Sequence, residues 1–134
     1  MDITESPAGF LLIGAFIGAL LCVPAVVSQY VDTRENVEYR CVVDGDHTGV
    51  EKSEGALIAA EVTAVPAGRK CTWRGESVPI VIEQTGEAVT TAALVGVGLV
   101  AIASVGLARR FWRVLIAPWV IAAGSWALIL WSAR

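Results

Sequence analysis

The sequence predicts a mainly α-helical membrane protein, with three transmembrane helices and a small disulfide-stapled, β-rich extracytoplasmic unit between helices 1 and 2. Three observations carry this expectation. Residues 6–31, 88–108 and 114–133 contain no Asp, Glu, Lys, Arg or His, and about 20 mainly apolar residues let a helix cross about 30 Å of hydrocarbon. Charged residues, 17% of the chain against 55% apolar, gather in what is left. Two of the three cysteines, Cys41 and Cys71, fall in the one long charged segment, 32–87. Such a composition excludes a disordered chain and a coiled coil, and a net charge of −3 excludes a nucleic-acid binder with a basic face.

In lipid every backbone N–H and C=O must find a partner inside the protein, so each uncharged stretch reads as an α-helix. Three buried core helices of a soluble protein are the competing reading. It fails because the remaining chain is too short to cover helices that are apolar all round. The expected division is an N-terminal tail and first helix in 1–31, an outer unit in 32–87, a second helix in 88–108, a turn in 109–113, and a third helix with the C-terminus in 114–134. The first helix reads as an uncleaved anchor. No Lys or Arg precedes its apolar run, Val26-Val27-Ser28 is only a passable cleavage site, and Leu21 stands where a lipoprotein signal through Cys22 wants a small residue.

Lys and Arg near the span ends set the orientation. Arg109, Arg110 and Arg113, with Phe111 and Trp112 at headgroup level, assign the 109–113 turn to the cytoplasm. Segment 32–87, with eleven acids against six bases, then lies outside, as does the C-terminus, and the N-terminus lies inside. Eight Arg against two Lys in a chain rich in Ala, Val and Gly point to a GC-rich prokaryote and hence to a plasma membrane.

This topology puts Cys41 and Cys71 in an oxidising compartment, where such a pair predicts a disulfide. Closing that loop stabilises the folded state by about 3–4 kcal/mol in the chain-entropy model. The gain matters for a unit of 56 residues, near the size at which an isolated core is marginal. A redox or metal-binding pair would want a C-x-x-C spacing or a nearby His or Cys partner, which the sequence lacks. Cys22, inside the first span, reads as a small apolar filler.

Within the outer unit, alternation over 37–43 followed by Asp44-Gly45 predicts a strand running into a tight turn. The apolar run 56–65 stops at Pro66-Ala67-Gly68 and reads as a strand, or as a short helix on account of Ala56, Ala59 and Ala60. Residues 70–74 are a short candidate strand around Cys71 and Trp73, and in the β-branched run 78–83 Pro79 predicts either an edge strand or a proline confined to the strand's start. Asp44-Gly45-Asp46-His47 has a faint likeness to a calcium loop, but it lacks the later ligands and reads better as a solvated turn. His47, the one histidine, has no partner at a spacing diagnostic of zinc or nucleophilic chemistry. Arg69, Lys70 and Arg74 around Trp73 are the one basic and aromatic patch outside, suited to headgroups, an acidic partner, or plain solvation. No catalytic, cofactor-binding or metal site is expected.

Helices in lipid meet through small residues that let backbones approach. Gly14 and Gly18 in the first span, Ala92, Gly96, Ala103 and Gly106 in the second, and Ala117, Gly124 and Ala127 in the third form such stripes. Trp112, Trp119 and Trp126 recur every seven residues along one face of the third span. Trp112 and Trp131 suit the interfacial belts, while Trp119 and Trp126 sit deeper, facing lipid, a partner helix or a lipid-like cofactor. Pro118 is expected to kink this span. No span holds an ionisable residue between its ends, which disfavours a pump, a secondary transporter or a histidine-ligated haem protein.

These features predict a non-catalytic accessory, assembly or stabilising subunit of a larger membrane complex. Its partners would be the lipid bilayer and a larger membrane protein or a second copy of itself. The alternative is a small homo-oligomeric channel or transport component lined by Gly and Ser. An enzyme at the membrane surface would draw on Asp44, Asp46, Glu51 and Glu54, whose spacing specifies no mechanism.

Overall fold

Proline has no N–H to donate and its ring crowds the preceding turn, so Pro24 divides the first apolar stretch. In the computed structural model, which describes residues 7–45, 48–50 and 55–134 and only the backbone of 108–110, that stretch is two helices. α1 (Pro7–Leu20) and α2 (Val23–Thr33) meet at Leu21 and Cys22, with Pro24 in the first turn of α2. α4 (Glu87–Ser132) doubles back on itself at Phe111, whose φ of −125° and ψ of 24° leave the helical region. Ala103, Leu107 and Leu115 consequently share one core, and the Trp119 indole N–H donates to Ser104 Oγ at 2.8 Å across the hairpin. Pro7–Thr33, Glu87–Leu107 and Phe111–Ser132 are each long and apolar enough to cross a membrane. Pro118, expected to kink the third span, keeps a helical backbone; the break falls at Phe111, where the chain must reverse between two packed arms.

Between the first and second spans the chain builds α3 (Val37–Asp44) and an antiparallel sheet in the order β1-β2-β3, from β1 (Leu57–Thr63), β2 (Gly68–Arg74) and β3 (Ile80–Gln84). The strand expected over 37–43 is a helix. Asn36 caps it, its side chain accepting from the Glu38 N–H at 2.9 Å, which satisfies one of the orphan donors of the first turn. Arg40 Nη1 pairs with Asp44 Oδ2 one turn on, at 2.7 Å. The Asp44-Gly45 turn is correspondingly the end of a helix, where the Gly45 N–H returns to Cys41 O at 3.1 Å. Of the two states open to 56–65, the strand is the one formed, because Ala60 and Val62 pair with Cys71 and Arg69 of β2. Pro79 immediately precedes β3, which pairs only with β2 and so needs no ladder hydrogen bond from the proline.

Cys41 and Cys71 are bonded, their Cα atoms 5.8 Å apart, so the disulfide ties α3 to the central strand. Around it Val50, Ala56 and Trp73 complete a buried cluster. A second cluster joins this unit to the helices: Ala67, from the β1–β2 turn, packs with Cys22, Ala25, Ala93, Ala122 and Ile129. Gly86 sets the entry to α4. Its φ of 83° is left-handed, and a Cβ there would run into the Ala67 carbonyl, so only glycine fits both backbone and neighbour.

Candidate functional site

The polar centre of the molecule lies where the sheet meets the helices. Asp32, in the last turn of α2, and Arg69, on β2, are 7% and 5% exposed, and Arg69 Nη1 reaches Asp32 Oδ1 at 2.8 Å. The other carboxylate oxygen accepts from the Thr85 hydroxyl at 3.0 Å, while that hydroxyl accepts from the Arg69 N–H at 2.9 Å. Gln84 Nε2 donates to Thr63 Oγ1 at 2.8 Å and to Arg69 O at 3.2 Å. Thr90 Oγ1, in the first turns of α4, accepts from the Ala67 N–H at 2.7 Å. The bonds of Arg69 and Thr85 to Asp32 tie the sheet to α2, and the Ala67–Thr90 bond ties its β1–β2 turn to α4, so the network welds the sheet to the top of the bundle. A buried ion pair of this kind fixes geometry more than it adds stability.

Arg69 and Trp73 therefore do not form an outer patch. Alternation along β2 turns Arg69, Cys71 and Trp73 to one face, toward α2 and α3, and Trp73 is 4% exposed. The expectation of Trp73 as an interfacial residue is corrected: it is core. Arg74 is exposed and Lys70 half-buried. Asp44 pairs with Arg40, which also reaches Glu35 Oε2 at 3.1 Å through Nε. The hydrogen bond from Arg40 holds the Asp44 carboxyl below its ordinary value, against a smaller opposing effect of burial. Among the described residues no group of three or more His, Cys, Asp or Glu side chains is arranged to hold a metal. The faint calcium loop and the surface carboxylates rest on Asp46, His47, Glu51 and Glu54, which lie outside the described residues.

The small residues divide sharply. Gly18 and Gly96 meet backbone to backbone; a Cβ on Gly18 would sit 2.5 Å from Gly96 O, and one on Gly96 would overlap Gly18 O. Ala103 is buried in the lower core with Ala15, and a Cβ on Gly106 would press on Leu11. Ala92 is half-buried, next to the fully buried Ala93. At Gly14 and Gly124 a Cβ would meet nothing within 4 Å, so neither marks a contact inside this chain. Helix rotation is the reason: α1 and the second arm of α4 present Ala15, Gly18 and Ala122, Ser125 inward instead.

The tryptophans divide as well. Trp126 packs against the upper core, whereas Trp112, Trp119 and Trp131 are exposed. Trp112 and Trp119 line an open apolar groove with Ser104, Ile116 and Val120. The Arg113 guanidinium lies 5.7 Å from the Trp112 ring centroid, a cation–π contact. The side chains of Arg109 and Arg110 lie outside the described residues.

One polar side chain has no place in the weld. Gln29 of α2 is 1% exposed, and neither its amide nitrogen nor its amide oxygen has a hydrogen-bond partner. It lines a crevice between α2 and the end of α4. In the sequence Gln29 is an uncharged polar residue near the end of the first apolar stretch, with nothing local to mark it. Its burial depends on α4 packing over it, which no local pattern announces.

Comparison of the chain with protein-family models, curated proteins and solved structures finds no match. The molecule is, then, a bundle of three helices long and apolar enough to cross a membrane, capped by a disulfide-linked helix-and-sheet unit.

Proposed function

We propose that this chain is a non-catalytic, multi-pass membrane protein that serves as an accessory, assembly or stabilising subunit of a larger complex in the plasma membrane. The observation that carries the reading is on the third span: Ala117, Gly124 and Ala127 face away from the chain's own helices. Small residues on an outward face allow a helix of another protein to approach closely in lipid, where packing takes over from the hydrophobic drive. The helix-and-sheet unit stands outside the membrane and the 109–113 turn, with Arg109, Arg110 and Arg113, in the cytoplasm. That orientation follows the distribution of Lys and Arg, and it suits a disulfide in the outer unit.

The test is purification from its native membrane in a mild detergent, followed by mass spectrometry, with Gly124→Ile as the control variant. Recovery of one stoichiometric, larger membrane protein with the wild type, and its loss with G124I, supports the subunit reading. Recovery of self-copies alone, together with conductance or uptake in liposomes holding the pure protein, replaces it with a small homo-oligomeric channel.

A further inference from the structure

The two edges of the sheet are unlike. β1 is interrupted by a register shift between Leu57 and Ala59, whereas β3 pairs regularly along its whole length. Proteins discourage further pairing at an edge with bulges, prolines, charged side chains or a covering loop, and the open side of β3 has none of these. Pro79 does not blunt it. The Thr85 N–H donates to Arg69 O at 3.0 Å, and hydrogen-bonded pairs alternate along an antiparallel ladder. Val81 and Glu83 therefore turn their backbone groups to Trp73 and Cys71 of β2, while Ile80, Ile82 and Gln84 turn theirs outward. Pro79 has the parity of the inner row and removes no donor from the outer one. Among the described residues no segment pairs with that outer row. The Ile80 and Ile82 side chains beside it are 53% and 58% exposed, and 78–84 holds no Lys or Arg.

We propose that β3 pairs with the β3 of a second copy of this chain, antiparallel about a two-fold axis at Ile82, so that two sheets join edge to edge. The free backbone row calls for an extended strand, and the side chains suit β3 itself. In this register Ile82 stands opposite its own counterpart, Ile80 opposite Gln84, and Val81 opposite Glu83. No two charges face each other directly, which would be destabilising. On the outer face Ile80 and Ile82 of the two copies form one apolar stripe, β-branched pairs of the kind that stabilise neighbouring strands. Each outward residue exchanges both of its backbone hydrogen bonds with the residue opposite. Ile82 is the middle residue of Ile80–Gln84, so a two-fold axis there pairs the whole strand, and one at Ile80 or Gln84 leaves part of it unpaired.

β3 plays no part in the subunit reading above, so the two stand or fall separately. Hydrogen-bonded partners in an antiparallel pair have Cα atoms about 5.5 Å apart, within disulfide reach. Full-length Ile82→Cys, oxidised in its native membrane with copper phenanthroline, should cross-link to a species of twice the chain's mass. Ile80→Cys and Gln84→Cys, each expressed alone, should not, because their own counterparts lie about 14 Å away along the strand. Expressed together, those two variants should cross-link to each other. Ile58→Cys, exposed on β1, is the control for chance collision. Ile82→Pro removes one outward N–H and leaves the pairing with β2 in place. It should convert a dimer in mild detergent to a monomer, measured by light scattering, with the Cys41–Cys71 bond kept. Equal cross-linking at all four positions, or a monomeric wild type, overturns the proposal. An Ile82→Cys adduct with a different protein also overturns it, and gives the edge to a strand of that protein. The cross-linking pattern decides the matter even if Ile82→Pro fails to fold.

Discussion

Arg69 shows how little of a side chain's role is written in its neighbours along the chain. Beside Lys70 it looks like surface charge, yet it is buried against Asp32. Replacing it by Met leaves the Asp32 carboxylate buried and unpaired, which is expected to cost about 3–5 kcal/mol. The double change Asp32→Leu/Arg69→Met should return most of that, and equilibrium unfolding in detergent across the double-mutant cycle checks both. Asp44 behaves differently because it is exposed. Its carboxyl is held low by the Arg40 hydrogen bond, so the contribution to stability is full above the ordinary aspartate range, near 3.9. It is lost as pH falls through the depressed value. Titration by NMR should find the Asp44 midpoint below that of a free aspartate, and Arg40→Gln should raise it to the ordinary range.

Helices and strands were legible to different degrees, and the cause is the size of the signal each one carries. A stretch of twenty uncharged residues has one stable solution whatever surrounds it, and all three apolar stretches are helical. Eight residues of mixed pattern do not, and 37–44 became α3 because the Asn36 cap and the Arg40–Asp44 pair outweighed its alternation. Helix contacts follow the same rule. A Gly-x-x-x-Gly spacing says that two glycines share a face, but only packing decides which of them is crossed by a neighbour. Gly18→Ala is therefore expected to destabilise the bundle by about 1–3 kcal/mol, as overpacking does, because its Cβ would sit 2.5 Å from Gly96 O. Gly14→Ala should fall within about 0.5 kcal/mol of wild type. Unfolding midpoints of the two variants in the same micelle distinguish them.

Taken together, three features hold the molecule: the disulfide inside the helix-and-sheet unit, and the Asp32–Arg69–Thr85 network and the apolar cluster around Ala67, which join that unit to the bundle. Cys41→Ser/Cys71→Ser removes one of them and should lower the stability of the outer unit by about 3–4 kcal/mol, while the helical signal of the spans persists in circular dichroism. The same cysteines report orientation. With the unit outside, an impermeant thiol reagent on intact cells should miss Cys41 and Cys71 until a reductant is added. Labelling that needs permeabilised cells as well would reverse the proposed topology.

The amino-acid order alone determined where the apolar helices run, that Cys41 and Cys71 would pair, and that Pro79 would fall on an edge strand or at a strand's start. Each of these depends on local composition, or on a single strong bond. Tertiary structure decided the rest: the burial of Arg69 and Trp73, the choice of Gly18 over Gly14, and the enclosure of the Gln29 amide beneath α4. Those outcomes depend on which face of an element another element covers, and that is set by the packing of segments far apart in the chain.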